Sequence, residues 1–359
     1  MRGRFIVLLI PVSLVLQNCQ SGKERDPADE NTDPIAMAFD QYASIESIRS
    51  ESNPLLEGWV DHFFSKSDCR CIFNGEFFIS LKNSYPESRN LMISLQGGGA
   101  CWPGLEECKE EVFAEDIYTS LFTTLLDEEL EEEWNQLLIP YCDGSVYAGD
   151  HEADYDGDGR VDHWHWGLRA GVAGLTLAKK SFPELEKVFI TGCSAGGYGT
   201  FTVARLVRHQ YPGARIYVLN ESGPGLFPED NETWSAIRQA WKLDPMIPGG
   251  CSPCGNQMIY WYDPMLENDG NLKIGLYSSY EDEVIGEEYL GMDPLDFRDL
   301  LLTSSGSLNE KYPDRFKRFF ISGNSHCVED HEYQIDGMRY RDWVLSLLND
   351  SDQWKDLLE

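Results

Sequence analysis

Ser194 lies in a segment whose residue types could support nucleophilic catalysis. The segment reads Gly192-Cys-Ser-Ala-Gly196, which fits the pattern G-x-S-x-G. A sharp turn between a strand and a helix needs small residues on both sides of the serine, because the backbone passes close to itself there. Residues 187–191 (KVFIT) predict the strand, and residues 195–210 have helical composition. We therefore interpret Ser194 as a nucleophile; the alternative is a glycine-rich turn with an idle serine.

A run of glycines, Gly97 to Gly99, follows an earlier apolar stretch at residues 90–96. Backbone N–H groups in such a run are not screened by side chains, which suits the stabilisation of a tetrahedral oxyanion. The N–H of Ala195, directly after the candidate nucleophile, is the expected companion donor. A phosphate-cradling loop is the alternative, but the pattern G-x-x-x-x-G-K-[ST] is not met. Trp102, shortly after the run, is expected to line the acyl pocket.

A serine nucleophile needs an imidazole to accept its proton, and His209, His326 and His331 follow it in the chain. His326 comes directly after the apolar run 318–322 and before a helix predicted for residues 333–348. This is the place of the general base in a fold with the order serine, acid, histidine. His209 falls late in the predicted helix 195–210, and His331 near a helix start, so His326 is the expected base.

The carboxylate that would orient this imidazole is expected after a strand between Ser194 and His326. Asp282 follows the apolar run 272–277 and is the preferred candidate. Glu281 and Glu283 beside it, and Glu221 after the preceding run, stay open as alternatives.

Six apolar runs predict the strands that must position these residues, and helical segments lie between several of them. The strand candidates are residues 90–96, 136–141, 187–191, 215–219, 272–277 and 318–322, and the helix candidates are 168–182, 195–210 and 333–348. Continuous apolar strands alternating with helices indicate a mostly parallel sheet covered on both faces. With the chain order of the candidate triad, this predicts an α/β-hydrolase fold.

Four motifs in this order resemble the pectin acetylesterase and Notum family of carboxylesterases. They are residues 96–102 (QGGGACW), 140–149 (PYCDGSVYAG), 192–197 (GCSAGG) and 325–327 (SHC). The resemblance implies a hydrolase that removes acyl groups from oxygen esters without a catalytic cofactor. It implies a triad of Ser194, Asp282 and His326, with Gly98, Gly99 and Ala195 as oxyanion donors. It also implies a disulfide between Cys101 and Cys108.

The N-terminal 39 residues are predicted to serve export rather than folding. Residues 1–19 combine Arg2 and Arg4 with an apolar run too short to span a bilayer, as in a signal peptide. The run ends at Cys19 in a sequence similar to a bacterial lipobox, which predicts lipid attachment there and a cell-envelope location; plain secretion is the alternative. Residues 20–34 are polar and charged, and residues 20–39 are predicted to form a flexible tether. Residues 40–359 are the expected hydrolase domain.

The charge of the chain bears on its partners. It has 61 acidic and 29 Lys or Arg residues, a net charge of −32. Such a surface repels phosphate backbones, so nucleic acid is excluded as a partner, and a dense polyanion is disfavoured as a substrate. Acylated carbohydrate or another neutral acyl ester is the expected substrate.

The chain has ten cysteines, and in an exported protein they predict disulfides. Cys101 with Cys108 and Cys251 with Cys254 are expected local pairs. Zinc at Cys251 and Cys254 is the alternative for the second pair, but a further pair of ligands at metal spacing is not evident. If Cys19 is set aside, an odd number remains, which predicts a thiol left outside the intramolecular pairs.

An acidic segment at residues 154–162 (DYDGDGRVD) resembles the start of a calcium loop. Asp154, Asp156, Asp158 and Asp162 place carboxylates at alternating positions around a turn glycine, which predicts a structural calcium ion. An acidic surface turn is the alternative.

Residues 221–271 form a long excursion between two predicted strands and carry several tryptophans. They predict either a cap over the site or a satellite core.

Two classes of function remain open beside the esterase. One is a non-catalytic, lipid-anchored surface protein that uses the fold for binding. The other is an amidase or peptidase that uses the same triad.

Overall fold

The computed structural model describes residues 33–108, 111–112, 134–228 and 232–359. Within them, Pro34–Glu359 forms one compact unit. This unit begins before residue 40, inside the segment expected to be a tether. The reason is that the first helix buries Ile35, Ala38 and Phe39 in the core.

The described strands, in chain order, are β1 Ser47–Ser52, β2 Trp59–Phe64, β3 Phe78–Lys82, β4 Asn90–Leu95, β5 Gly99–Trp102, β6 Leu105–Cys108, β7 Asn135–Ile139, β8 His151–Ala153, β9 His163–His165, β10 Lys187–Cys193, β11 Arg215–Glu221, β12 Leu272–Ser279, β13 Phe316–Ile321, β14 Gln334–Ile335, β15 Met338–Arg339 and β16 Leu357–Leu358. The α-helices are α1 Pro34–Tyr42, α2 Gly167–Ser181, α3 Ala195–Gln210, α4 Glu232–Trp241, α5 Tyr262–Asn268, α6 Pro294–Lys311 and α7 Tyr340–Leu348. Short 3-10 helices lie at Asp244–Met246, Pro253–Gly255 and Met258–Trp261, and a π-helix spans Glu283–Tyr289.

Among the described residues, ten strands form one sheet in the order β1-β2-β3-β7-β4-β10-β11-β12-β13-β16. Strands β7, β4 and β10 to β13, with β16, run parallel, whereas β1 to β3 join antiparallel at one edge. The carboxyl ends of β4, β10, β11, β12 and β13 therefore meet at one edge of the sheet. All three candidate triad residues follow strands that end there.

Alternate residues of each strand point to opposite sides of the sheet, and helices cover both of these faces. On β10, Val188 and Ile190 pack in the large cluster that contains apolar residues of α1, α2, α3, α5 and α6. Phe189, between them, packs in a second cluster with Trp343 and Val344 of α7. The mostly parallel sheet with helices on both faces is thus present, as the sequence predicts.

The C-terminal helix is shorter than predicted. It begins at Tyr340 rather than at residue 333. Residues 334–339 instead form the hairpin β14–β15, whose turn contains Asp336 at φ 50° and Gly337 at φ 76°. Two successive left-handed residues cannot continue an α-helix, which explains the later start.

No helix among the described residues has both the length and the apolar character that crossing a membrane requires.

Candidate active site

Ser194 sits at the sharp turn between β10 and α3. Its φ of 57° and ψ of −124° are unusual for a residue with a side chain. A Cβ at Gly196 would collide with the carbonyl of Leu95 on the neighbouring strand, so a glycine is needed for the turn to pack. The N–H of Ser194 donates to the Glu221 carbonyl at 2.9 Å. The turn therefore holds the serine at the N-terminus of a 16-residue helix, where the positive end of the helix dipole favours developing negative charge.

Asp282 and His326 form a hydrogen-bonded pair. Nδ1 of His326 lies 3.0 Å from Oδ1 and 3.0 Å from Oδ2 of Asp282. The Asp282 side chain is fully buried, and that of His326 is 18% exposed. Oδ1 of Asp282 also accepts the N–H of Ile285, at 3.0 Å, and so caps the π-helix Glu283–Tyr289. Because Nδ1 faces the carboxylate, Nε2 is the ring nitrogen left to exchange a proton.

The loops that carry these two residues are joined by backbone hydrogen bonds. The N–H of Glu281 donates to Gly323 at 3.0 Å, and that of Glu283 to Asn324 at 3.1 Å. The Ser279 hydroxyl donates to the carbonyl of Ser325 at 2.5 Å. The loop after β13 is thus aligned with the loop after β12, which fixes His326 beside Asp282.

The other candidate acids have different partners. Glu281 pairs with Arg298 at 3.5 Å, and Glu283 accepts from the Asn324 amide at 2.7 Å. Glu221 is buried and accepts a 2.5 Å hydrogen bond from the Tyr340 hydroxyl. Burial raises the pKa of Glu221 to about 7, against the opposing effect of that hydrogen bond. Among these carboxylates, Asp282 is therefore the one that contacts His326.

The other two candidate histidines pack against aromatic rings. His209 stacks on Phe39 of α1 with ring centroids 4.8 Å apart. His331 stacks on Tyr340 at 6.1 Å.

The glycine run lies directly against the turn of Ser194. A Cβ at Gly97 would come within 2.8 Å of the Cys193 carbonyl and 3.3 Å of Cβ of Ser194, so only glycine allows this approach. Gly99, at φ 78°, and Ala195 line the same pocket as Ser194, and Gly98 directly precedes Gly99 in the connection between β4 and β5. The two segments predicted to supply oxyanion donors therefore adjoin the serine.

A small apolar pocket, with a cavity volume of about 40 Å³, opens at Ser194. Trp102 lines it, together with Val146 and Tyr198. Phe227, Ile237 and Trp241 of the excursion 221–271 form another part of its wall, and Ile285, Tyr289 and Leu290 beside the acid form a third. The excursion is both wall and core, because its residues Trp234, Trp261 and Tyr262 are fully buried.

Residues 140–149 form hydrogen bonds with Gln96, directly before the glycine run, a role that sequence reasoning missed. The Tyr147 hydroxyl donates to the carbonyl of Gln96 at 2.8 Å, and Oε1 of Gln96 accepts the N–H of Tyr141 at 3.0 Å. Asp143 accepts the N–H groups of Ser145 and Tyr147, while burial raises the pKa of its carboxyl to about 6. The motif PYCDGSVYAG at residues 140–149 carries the signal for this role.

Disulfides join segments distant in sequence. Cys193, before Ser194, is bonded to Cys327, after His326, with a Cα–Cα distance of 5.9 Å. Cys71 is bonded to Cys142. Neither pairing was predicted.

The local pair Cys251–Cys254 is a disulfide, as expected, so its sulfurs are not thiolate ligands for zinc. Cys101 is disulfide-bonded, and the side chain of its predicted partner Cys108 lies outside the described residues. Among the described residues, Cys69 is a free, buried thiol, in agreement with the odd count.

The acidic segment forms the turn between β8 and β9. Carboxylates of Asp154, Asp156 and Asp162 come together closely enough to share an ion, and Asp158 is not part of this group. Oxygens of Asp154 accept the N–H groups of Gly157 and Gly159, and Oδ1 of Asp158 accepts that of Arg160. The carboxylates thus stabilise their own turn, and calcium stays a prediction.

Comparison with known proteins relates this geometry to one family. Residues 77–243 match the model of the pectinacetylesterase family, a range that contains the glycine run and Ser194 but ends before Asp282. Pectin acetylesterase 4 of Arabidopsis thaliana is 24% identical over 154 residues, covering 40% of this chain and 37% of that relative. The structure of the Wnt deacylase Notum from Drosophila superposes with a TM-score of 0.55 and 16% identity, covering 83% of this chain and 95% of that one. The likeness to the Notum structure supports the α/β-hydrolase fold.

Proposed function

Because the chain belongs to the pectin acetylesterase and Notum family, we propose that it is a serine carboxylesterase that removes acyl groups from oxygen esters. The observation that carries the proposal is the Asp282–His326 pair, held at 3.0 Å on the loop that is bonded to the turn of Ser194. Asp282 and His326 lie outside the range matched by the family model, so the geometry supports them independently of that match.

In the first step, His326 accepts the proton of the Ser194 hydroxyl through Nε2 while the oxygen attacks the ester carbonyl. Asp282 holds the proton on Nδ1 and stabilises the imidazolium that forms. The N–H groups of Gly98, Gly99 and Ala195 would donate to the oxyanion, a contribution typically worth a factor of about 10² to 10³ per donor. His326 then returns the proton to the departing alcohol, and water releases the acyl group by the same sequence.

The pocket supports an apolar acyl group rather than a charged one. Trp102, Phe227 and Trp241 contribute large apolar surfaces to its wall. On the alcohol side, the net charge of −32 disfavours a polyanionic chain. We therefore propose an acylated carbohydrate or a related neutral hydroxyl compound as substrate.

The first test is hydrolysis of p-nitrophenyl esters from acetate to octanoate by the wild-type protein and by Ser194→Ala. We expect the substitution to lower kcat/KM by at least about 10⁴-fold, because no other group can form the acyl-enzyme. Equal rates in the two proteins would reject the proposal.

Labelling with a fluorophosphonate separates the other readings. A folded wild-type protein that stays inert to this probe would favour the non-catalytic binding protein. Faster cleavage of matched amides than of esters would favour the amidase or peptidase.

Two predictions about the surroundings of the enzyme rest on the sequence. Lipid attachment at Cys19 and export to the cell envelope concern residues outside those described, and incorporation of a labelled fatty acid by wild type but not by Cys19→Ala would test them. Structural calcium at Asp154, Asp156 and Asp162 would be tested by calorimetric titration with CaCl₂, where no binding at millimolar concentration would exclude it.

A further inference from the structure

The Cys193–Cys327 disulfide joins the two residues next to the proposed nucleophile and base. It spans 134 residues of sequence and links the end of β10 to the loop after β13. The sulfurs of Cys193 and Cys327 and a ring nitrogen of His326 all lie within 4.8 Å of one another. The cross-link therefore lies against the imidazole itself, and because both sulfurs are in the bond, they are not metal ligands.

The loop of His326 forms more hydrogen bonds with the segment that carries Asp282 than with the segments beside Ser194. Hydrogen bonds from residues 279–283 align this loop with Asp282. On the nucleophile side, the N–H of Cys327 donates to the Ser222 hydroxyl at 3.0 Å, and the disulfide forms the covalent link. The disulfide thus sets the distance between the proposed base and the proposed nucleophile.

Backbone conformation on both sides of the cross-link is strained. Ser194 has a φ of 57° and Cys327 a φ of 64°, both in the left-handed region that disfavours residues with a Cβ. Such conformations persist only where the surroundings impose them. A bond between the neighbours of the two proposed catalytic groups is a direct way to impose them.

Exposure distinguishes this disulfide from Cys71–Cys142. Cys71 and Cys142 are both buried, whereas Cys193 and Cys327 are both partly exposed. Since thiol–disulfide exchange requires access of the attacking thiolate to a sulfur, a small dithiol should open Cys193–Cys327 before Cys71–Cys142.

We propose that the Cys193–Cys327 disulfide is a positioning element of the triad, and that its reduction switches the hydrolase off. This inference rests on the proposed function. In the reductive step, a dithiol attacks one sulfur and then closes to its own cyclic disulfide. It gives up two electrons and two protons, which appear as the thiols of Cys193 and Cys327. Exchange with glutathione disulfide reverses the step.

The test compares Cys193→Ser/Cys327→Ser with Cys251→Ser/Cys254→Ser, which removes a disulfide that does not flank the triad. For the first variant we expect kcat about 10- to 100-fold lower, with KM within about twofold, because small misplacements of reacting groups cost about this much. The rate of phosphonylation of Ser194 by a fluorophosphonate should fall in parallel. The second variant should keep kcat within about twofold.

Reduction of the wild-type protein gives a second measurement that does not depend on a variant folding. After a short treatment with dithiothreitol, alkylation and peptide mass spectrometry should find Cys193 and Cys327 modified before Cys71 and Cys142. Activity should fall with the fraction modified and return when unalkylated samples are reoxidised.

A merely structural role has a different signature. A variant with a lower Tm but unchanged kcat and phosphonylation rate well below that Tm would overturn the inference, as would full activity in wild-type protein alkylated at both thiols. An oxidised wild-type protein without esterase activity would overturn the proposed function, and this inference with it.

Discussion

Glu221 and Asp282 lie at the same end of neighbouring parallel strands, yet their carboxylates face different partners. Glu221 is the last residue of β11, is fully buried, and faces the hydroxyl of Tyr340. Asp282 follows β12, is equally buried, and faces the imidazole of His326. A phenol donates a hydrogen bond but brings no positive charge near neutral pH, whereas an imidazole can become a cation. Position at a strand end therefore does not distinguish the proposed triad acid from Glu221; the partner side chain does.

The largest expected effect is on catalysis. Asp282→Asn should lower kcat by about 10⁴-fold, because an amide can no longer hold the productive tautomer of His326. Glu221→Gln, the matched change at the neighbouring strand, should leave kcat within about threefold. Ester hydrolysis by both variants at pH 8 measures the contrast, and a comparable loss in Glu221→Gln would make Glu221 part of the machinery.

The next effect is on stability and its dependence on pH. The pKa of Glu221 is raised from 4.5 to about 7, so between these values the folded chain binds more protons than the unfolded chain. The free energy of unfolding should therefore decrease as the pH rises through this range, by about 3 kcal/mol in total, and then level off. Glu221→Gln should lack this loss and be more stable than wild type at pH 8 but not at pH 4.

Urea unfolding of the two proteins across this pH range is the measurement. If wild type and Glu221→Gln gave parallel profiles, Glu221 would not carry the raised pKa.

The smallest effect concerns the partner of Glu221. Tyr340→Phe removes the hydrogen bond that lowers the pKa of Glu221, so the transition in stability should move to higher pH. The free energy of unfolding at pH 8 should drop by about 1 to 2 kcal/mol, since a buried acceptor loses its donor. Tyr333→Phe is the control, because its hydroxyl bonds Glu359 at the surface. Equal losses in the two variants would mean that the buried hydrogen bond contributes no more to the free energy of unfolding than the exposed one.

The parallel strands could be predicted because burial on both faces leaves continuous apolar runs in the sequence. Strand β1 has the sequence SIRSES and is mostly exposed, so no apolar pattern marks it, and it forms through pairing with β2. The hairpin β14–β15 lies inside the segment predicted as a helix from residue 333, and its strands pair across the local turn at Asp336 and Gly337. Strand β1 thus depends on its pairing partner, whereas the hairpin carries a local Asp-Gly turn signal that the helix prediction overlooks.

The candidate site also has parts that the sequence predicts and parts that it leaves open. Local patterns identify Ser194, His326 and the glycine run, because each follows a strand in a recognisable order. The sequence prefers Asp282 by its position but leaves Glu221 open, and the contacts with His326 and Tyr340 separate the two. The pairing of Cys193 with Cys327 depends on strand order and is not marked in the sequence.

The chain order of the sheet has a consequence for biosynthesis. The serine turn ends β10, but its proposed partners follow β12 and β13, near the C-terminal end of the sequence. A nascent chain would have to present nearly all of these strands before a single ester could be cleaved. Because contacts between residues so far apart form slowly, recovery of hydrolysis should lag behind recovery of helical circular dichroism during refolding. The proposed hydrolysis would thus become possible only at the end of folding.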